Sequence, residues 1–292
     1  VVVLDNPKKT LPSGWNVALR EYKGDAIIKV DAHAVIPEDF VSKNVRVLET
    51  GEYICGGQRP NIIDKPTPFK ETLLLAESSM FGSSIASYRN NPGKTYVKSL
   101  FHAAYRREVF EKVGFFNEEL VRTEDNEIHY RMRKAGYKLC FDPDIISYQY
   151  TRSSLKAMLK QKYANGYWIG KTSKVCPKCL SIYHFVPFAF VSAIIASGSV
   201  IGATGLAECI KKRHNHTLGK GISALRKVTV VLTTVMWVLY ALMASGMAAV
   251  SAFKAEDKRN ITNACLPVLF LLLHLSYGIG TIAGLMDKSK RG

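Results

Sequence analysis

The chain has 292 residues, with 40 Lys+Arg against 24 Asp+Glu, a formal charge of +16, and 47% hydrophobic and 22% charged side chains. That balance excludes a disordered or collagen-like chain, and six cysteines in this length exclude a disulfide scaffold. The charge is unevenly spread: residues 1–180 hold 28 basic and 20 acidic side chains, residues 181–292 only 12 and 4.

In chain order, Val1–Leu4 is a β-branched run that reads as a strand. The opening VVVLDNPKKT has neither an initiator Met nor a basic-then-apolar leader, so the chain reads as a fragment entered part-way through a domain. Ser13 caps a helix through about Tyr22, which Gly24 ends. Asp25–Asp31 (DAIIKVD) suits a buried strand. Pro37-Glu38-Asp39 opens a helix that Gly51 stops, with acids beside the positive dipole end. Tyr53–Cys55 is a further strand and Phe69–Met80 is helical. Arg106–Val113 and Glu124–Ala135 read as amphipathic helices closed by Gly114 and Gly136. Strands joined by helices predict an α/β sandwich with a largely parallel sheet over residues 1–150.

Residues 151–180 change character. Leu155, Met158, Leu159, Tyr163 and Tyr167 recur at steps of three to four, one apolar helical stripe. From Arg152 to Lys178 there are seven basic residues and no acid, with Trp168 beside the tyrosines. This is a basic amphipathic helix for an anionic lipid surface on the cytoplasmic side. Residues 181–292 form a membrane module of two or three transmembrane helices. Ile182–Ala207, Val228–Phe253 and Ile261–Met286 are each 26 residues without a formal charge, and a helix needs about 20 to span a bilayer. Three simple spans would put Lys211, Lys212, Arg213, Lys220, Arg226 and Lys227 outside, against the positive-inside rule. A re-entrant first segment, interrupted by Pro187, leaves only Lys254, Lys258 and Arg259 outside.

Two clusters bear on chemistry. Asp31 and His33 end the DAIIKVD strand, and side chains two apart on a strand share a face. A carboxylate with a neutral imidazole suits a divalent metal, Mn²⁺ or Mg²⁺, that bridges diphosphate oxygens. Glu124-Asp125, after Thr123 as a cap, reads first as acids that stabilise the first turn of a helix and, as the alternative, as a general base for an acceptor hydroxyl. Cys176-Pro177-Lys178-Cys179 lacks the second pair that a structural zinc needs. The basic excess accompanies no nucleic-acid motif, which points away from nucleic acid and toward lipid and diphosphate partners.

Together these segments resemble the family 2 glycosyltransferases, especially the bacterial exopolysaccharide enzymes of the succinoglycan-biosynthesis type. The resemblance is carried by DNPKKTLPSGWNVAL (Asp5–Leu19), GDAIIKVDAHA (Gly24–Ala34), FGSSIASYR (Phe81–Arg89), YRREVFEKVGFFNEEL (Tyr105–Leu120), RTEDNEIHYRMRKAG (Arg122–Gly136) and HLSYGIG (His274–Gly280). It implies a GT-A fold, here without its first strands and nucleotide-base-binding acids, followed by the helical membrane module. Asp31 and His33 would hold the metal and donor diphosphate. Asp125, with Glu124, would be the catalytic carboxylate of a single inverting displacement. Glu127, Arg106, Arg107, Gln161 and Trp168 would support the acceptor side.

The implied donor is a nucleotide sugar and the implied acceptor a polyprenyl-diphosphate-linked saccharide, at a bacterial inner membrane with the catalytic domain cytoplasmic. Other exopolysaccharide-assembly proteins are implied partners. Lys98 stands where related sequences carry Asp, and His102 near an expected Gly, which alters the acceptor pocket. Gln161–Trp168 lacks the Arg of the Gln-x-x-Arg-Trp motif, which favours one sugar per encounter over a processive polysaccharide synthase. The competing class is an inactive fragment that serves only as a membrane scaffold.

Overall fold

The computed structural model describes residues 1–82, 93–213, 219–255 and 259–289. Ser83–Arg89 of the FGSSIASYR segment and Lys258 lie outside the described residues. The elements in order are α1 (Leu11–Glu21), β1 (Ala26–Ile28), β2 (Ala34–Val35), α2 (Phe40–Glu49), β3 (Ile54–Gln58), β4 (Asn61–Ile62), α3 (Pro68–Ser78), β5 (Thr95–Val97), β6 (Ala103–Arg106), α4 (Arg107–Val113), α5 (Glu124–Lys134), β7 (Leu139–Ile146), β8 (Tyr148–Tyr150), α6 (Leu155–Val175), α7 (Val186–Arg213), α8 (Lys220–Lys254) and α9 (Leu266–Met286). Gly51, Gly114 and Gly136 stand just past helix ends at φ of 98°, 81° and 96°, the left-handed region that favours glycine.

Five strands run in the order β1-β6-β3-β7-β5, and a smaller sheet is β2-β8-β4. In the larger sheet only β3 and β7 are parallel; β1 with β6, β3 with β6 and β5 with β7 are antiparallel. The expectation of a largely parallel sheet therefore fails. The cause is β6: Ala-Ala-Tyr-Arg has little β-branched character, yet it inserts between β1 and β3 and reverses the direction there. Val1–Leu4 is exposed and forms no strand. The first helix starts at Leu11 rather than at Ser13, whose hydroxyl instead bonds Asn6 Oδ1 at 2.6 Å.

Side chains of the central strands alternate between two cores, as the pleat requires. Ile54, Tyr105, Leu139 and Phe141 face Val109, Phe110, Ile128 and Met132 of α4 and α5. Cys55, Ala104 and Cys140 face Phe40, Val47 and Leu48 of α2. A third core joins the domain to the apolar helices: Leu73 and Ala76 of α3, Met158 of α6, Ala244 and Ala248 of α8, and Leu266 to Leu273 of α9.

α7 and α8 form an antiparallel hairpin, with Phe190 stacked on Tyr240 at 4.6 Å. Pro187 is the second residue of α7 and begins that helix; it does not interrupt it. α6 and α9 run side by side in the same direction. Gly166 and Gly170 of α6 press on the backbone of Tyr277, Thr281 and Gly284, while Gly280 and Gly284 of α9 press on the backbone of Tyr163 and Tyr167. Facing small-xxx-small pairs of this kind let helix backbones approach closely.

Candidate active site

Lys29 is the centre of the site and the residue that sequence reading passed over. It follows β1 in an otherwise apolar run, and its backbone N–H donates to Ala103 O at 2.9 Å, which continues the ladder to β6. Only 6% of the residue is exposed. Its ammonium pairs with Asp125 Oδ1, lies 3.7 Å from Glu124 Oε1, and faces the rings of Trp15 and Phe116 at 5.4 and 5.8 Å. Burial by itself would lower the Lys29 pKa, but Asp125 and then Glu124 outweigh burial and raise it.

One buried cation balances one carboxylate, so the second must take a proton or stay uncompensated. Glu124 takes it. Burial first, and the Asp125 charge second, push the Glu124 carboxyl up to about 8. Its side chain is 4% exposed against 19% for Asp125. At neutral pH the pair thus consists of a neutral inner Glu124 and an outer Asp125 that is ion-paired and open to solvent. Both lie at the start of α5, where first-turn acids are also favoured by the dipole. Thr123 occupies the cap position, but its hydroxyl bonds that of Thr172 on α6 instead of capping.

Asp31 stands at the same edge, in a turn closed by Ala34 N–H donating to Asp31 O at 3.0 Å. Its Oδ2 is 3.8 Å from His102 Nε2, and His102 Nδ1 is 2.8 Å from Ser147 Oγ. Burial would raise the Asp31 carboxyl, yet the His102 ring and the Lys29 charge hold it below its ordinary value. Three buried polar atoms here have no hydrogen-bond partner among the described residues: Asp31 Oδ1, His102 Nε2 and Glu124 Oε2. Buried polar atoms are normally satisfied, so such a concentration marks a place built for something other than self-satisfaction.

The spacing expectation for the metal pair needs correction. β1 ends at Ile28, so Asp31 and His33 share a turn and not a strand face. His33 is exposed, and its Nε2 lies 2.7 Å from Gln149 Nε2 on β8. Among the described residues no three His, Cys, Asp or Glu side chains cluster as a metal site. The orphaned Asp31 oxygen does fit a hard divalent ion, because such ions commonly take one or two protein carboxylates and fill the remaining positions with phosphate oxygens and water.

The supporting residues separate in two. Arg106 and Arg107 sit at the opposite end of β6 from His102. Arg106 donates to the carbonyls of Leu48 and Glu52 at 2.7 and 3.0 Å, and Arg107 to those of Tyr22 and Gly24 at 3.0 and 2.6 Å. Glu127 grips Arg131 with both oxygens, at 2.6 and 2.9 Å, and Arg131 closes onto Val113 O and Phe115 O. These three side chains brace the fold, and the structure does not bring them to Asp125. Gln161 and Trp168 lie on the face of α6 that also carries Asn165 and Thr172. That face meets the two residues just before α5, through Thr123–Thr172 and Arg122 Nη1 to Asn165 Oδ1 at 3.2 Å. Gln161 Oε1 is buried without a hydrogen-bond partner. Lys98 is exposed beyond β5.

The fold and site define a GT-A-type α/β domain, with a cation-held carboxylate pair at its open edge, mounted on long apolar helices. The chain belongs to glycosyl transferase family group 2, whose family model matches residues 26–281. It is 28% identical over 171 residues to the succinoglycan biosynthesis protein ExoA of Rhizobium meliloti, covering 57% of this chain and 51% of that protein. A second relative is the dolichyl N-acetyl-alpha-D-glucosaminyl phosphate 3-beta-D-2,3-diacetamido-2,3-dideoxy-beta-D-glucuronosyltransferase of Methanococcus voltae. There the identity is 23% over 203 residues, 67% of this chain and 62% of the relative. The O-antigen chain rhamnosyltransferase RfbN of Salmonella typhimurium is 29% identical over 133 residues, 44% and 42% of the two chains. The chain spans about half the length of the curated relatives it matches.

Proposed function

We propose that this chain carries the acceptor-activating site of an inverting glycosyltransferase that moves a sugar from a nucleotide-sugar donor to a lipid-linked saccharide at the cytoplasmic face of a bacterial inner membrane. The observation that carries the reading is the split carboxylate pair. Lys29 pairs with Asp125, Glu124 holds the surplus proton, and Asp125 is the more exposed of the two. An ion-paired, partly exposed carboxylate at a helix start suits a general base.

Asp125 accepts the proton of the acceptor hydroxyl. The freed oxygen attacks the anomeric carbon as the nucleoside diphosphate departs from the opposite face, so the configuration inverts. Lys29 and Glu124 fix the position and charge of Asp125, and His102, braced by Ser147, holds Asp31 in place. Asp31 would hold a Mn²⁺ or Mg²⁺ ion, which when bound offsets charge on the departing diphosphate; His33 is the second candidate ligand. Gln161 and Trp168, which share a face of α6, would line the acceptor side. The Methanococcus relative is named for a dolichyl-linked sugar phosphate, which supports a polyprenyl-linked acceptor.

Membranes that contain the chain, supplied with a panel of labelled nucleotide sugars and polyprenyl-diphosphate-linked saccharides, should transfer label to the lipid fraction. Asp31→Ala should remove the metal-dependent part of that transfer. Full transfer in excess chelator would overturn the metal role, and undiminished transfer by Asp125→Asn would overturn the base.

A further inference from the structure

Among the described residues three helices are long and apolar enough to cross a membrane: Ile182–Lys212, Lys220–Lys254 and Ile261–Met286, with mean hydropathies of 2.0, 1.9 and 1.9. Composition does not distinguish them, but their surroundings do. Only 6% of the apolar window is buried in each of the first two, against 39% in the third.

Both ends of that third helix are tied to the globular domain, the first directly and the second through α6. At its start, Asn260 Nδ2 and Thr262 Oγ1 donate to Pro68 O at 3.3 and 3.1 Å, and Thr72 Oγ1 donates to Asn263 Oδ1 at 2.7 Å. Pro68 and Thr72 belong to α3. Midway, His274 Nε2 lies 2.7 Å from Phe81 O. At its end, Asp287 pairs with Tyr167 and Lys171 of α6, and Lys174 Nζ donates to Asp287 O at 2.9 Å. α6 is itself held to the domain at two points, by Lys162 to Glu77 of α3 at 3.6 Å and by Thr172 to Thr123 before α5. The glycine seam joins α6 and α9 between these ties.

A 21-residue helix is about 31 Å long. Perpendicular to a bilayer, it would carry one end across to the far side, away from the domain. α9 instead begins and ends on the domain. If it crossed, α6 would cross with it and take Lys156, Lys160, Lys171 and Lys174 into hydrocarbon, where a charge is costly. The free side of α9 fits a different arrangement. Val268, Leu272, Ile279 and Met286 form one apolar stripe at helical spacing, with Val268, Ile279 and Met286 exposed. Lys156, Lys160 and Lys174 are exposed on the neighbouring α6.

We infer that α9 lies in the plane of the membrane and does not cross it. Its apolar stripe enters the leaflet on which the globular domain rests, while the α6 lysines meet anionic phospholipid headgroups. Only α7 and α8 then span. Arg259 and residues 260–263 fall on the side of the domain, contrary to the arrangement with a re-entrant first segment, and the α7–α8 tip, with Lys211, Lys212 and Lys220, falls on the opposite side, where the packing of α9 is set against the positive-inside rule.

The test is sidedness relative to the domain itself. In a background without other cysteines, Cys265, Ser289→Cys, Gly219→Cys and Ser42→Cys on α2 are each exposed to an impermeant maleimide, in intact cells and in inverted vesicles. The in-plane helix gives Cys265, Ser289→Cys and Ser42→Cys the same sidedness and Gly219→Cys the opposite one. Opposite sidedness for Cys265 and Ser289→Cys would overturn the inference. Because cysteine removal could disturb folding, the unaltered chain is also fused after Gly292 to a reporter that fluoresces only in the cytoplasm, and before Val1 to the same reporter. Fluorescence at both termini, or at neither, gives the even number of crossings that α9 in the plane requires, and the cysteine sidedness then separates it from a re-entrant first segment; fluorescence at only one refutes it.

Discussion

The carboxylate edge and the glycine seam are both tightly built, and they differ in what they leave unfinished. At the edge, a buried cation is shared by two acids, and Asp31 Oδ1, His102 Nε2 and Glu124 Oε2 lack partners. At the seam, backbone meets backbone across Gly166, Gly170, Gly280 and Gly284, and the ends of α9 are bonded to side chains of the domain. A protein tolerates unsatisfied groups where a substrate will complete them, and closes its packing where nothing is to enter. Substitution at the edge should therefore change turnover more than stability, and substitution at the seam should do the reverse.

The sharpest separation is expected from Asp125→Asn. It keeps the shape and removes the proton acceptor, so turnover should fall by about 10²–10⁴-fold. Stability should change little, because Lys29 retains Glu124 at 3.7 Å, and Glu124, relieved of a neighbouring negative charge, ionises in its place. Transfer assays and thermal midpoints in detergent measure the two halves. A large drop in midpoint together with lost turnover would make Asp125 chiefly a structural ion-pair partner.

Lys29→Met inverts the pattern at the same edge. It leaves two adjacent carboxylates without a cation, and breaking a buried pair from one side costs about 3–5 kcal/mol. Unfolding at markedly lower temperature than wild type is the expected result. An unchanged midpoint would mean that Lys29 is not the counter-ion of the pair. This residue also shows where sequence reading stops. Asp31 and Glu124-Asp125 were legible because they belong to local patterns with known offsets. The lysine's partner lies 96 residues away, and only a charge inside the apolar run Ala26–Val30 hinted at it. Arg106 and Arg107 fell in a motif-bearing segment, but a motif does not say which end of a strand faces the site. Strand direction was likewise hidden, since β6 carries no strand signal and a hydrophobic run has no arrow. The apolar segments were legible as helices. Whether lipid or protein covers them was not, because hydropathy scores the side chain and not its neighbour.

At the seam, Gly280→Leu places a side chain against the Tyr163 carbonyl. Overpacking of this kind typically costs about 1–3 kcal/mol. Gly198→Leu on α7, where a Cβ would meet nothing within 4 Å, is the matched control. The expected outcome is a lower thermal midpoint and greater protease access to 254–289 for the first variant and neither effect for the second. Turnover per folded molecule should stay within a few-fold of wild type in both. Equal behaviour of the two glycines would show that α9 is not seated on α6.

The smallest effect at neutral pH, and the most specific, belongs to Glu124→Gln. A glutamine has the shape and the charge of the protonated acid, so at pH 7 both folding and turnover should stay close to wild type. The difference lies in the response to pH. Glu124 moves from an ordinary value near 4.5 up to about 8 through burial and the Asp125 charge. Between those values the folded chain keeps a proton that the unfolded chain has released. This contribution to stability is complete below about pH 4.5, shrinks as pH rises, and is gone above about 8, with a slope of at most about 1.4 kcal/mol per pH unit. Glutamine cannot titrate, so the decline in thermal midpoint from pH 5 to pH 8 should flatten in the variant. The acid limb provides an internal check. Asp31 is held below its ordinary value, so its contribution is present above that value and lost only as pH falls through the lowered one. That limb should be the same in both proteins. Identical slopes from pH 5 to pH 8 would show that Glu124 is already ionised at neutral pH, and the division of labour between the two carboxylates would have to be reversed.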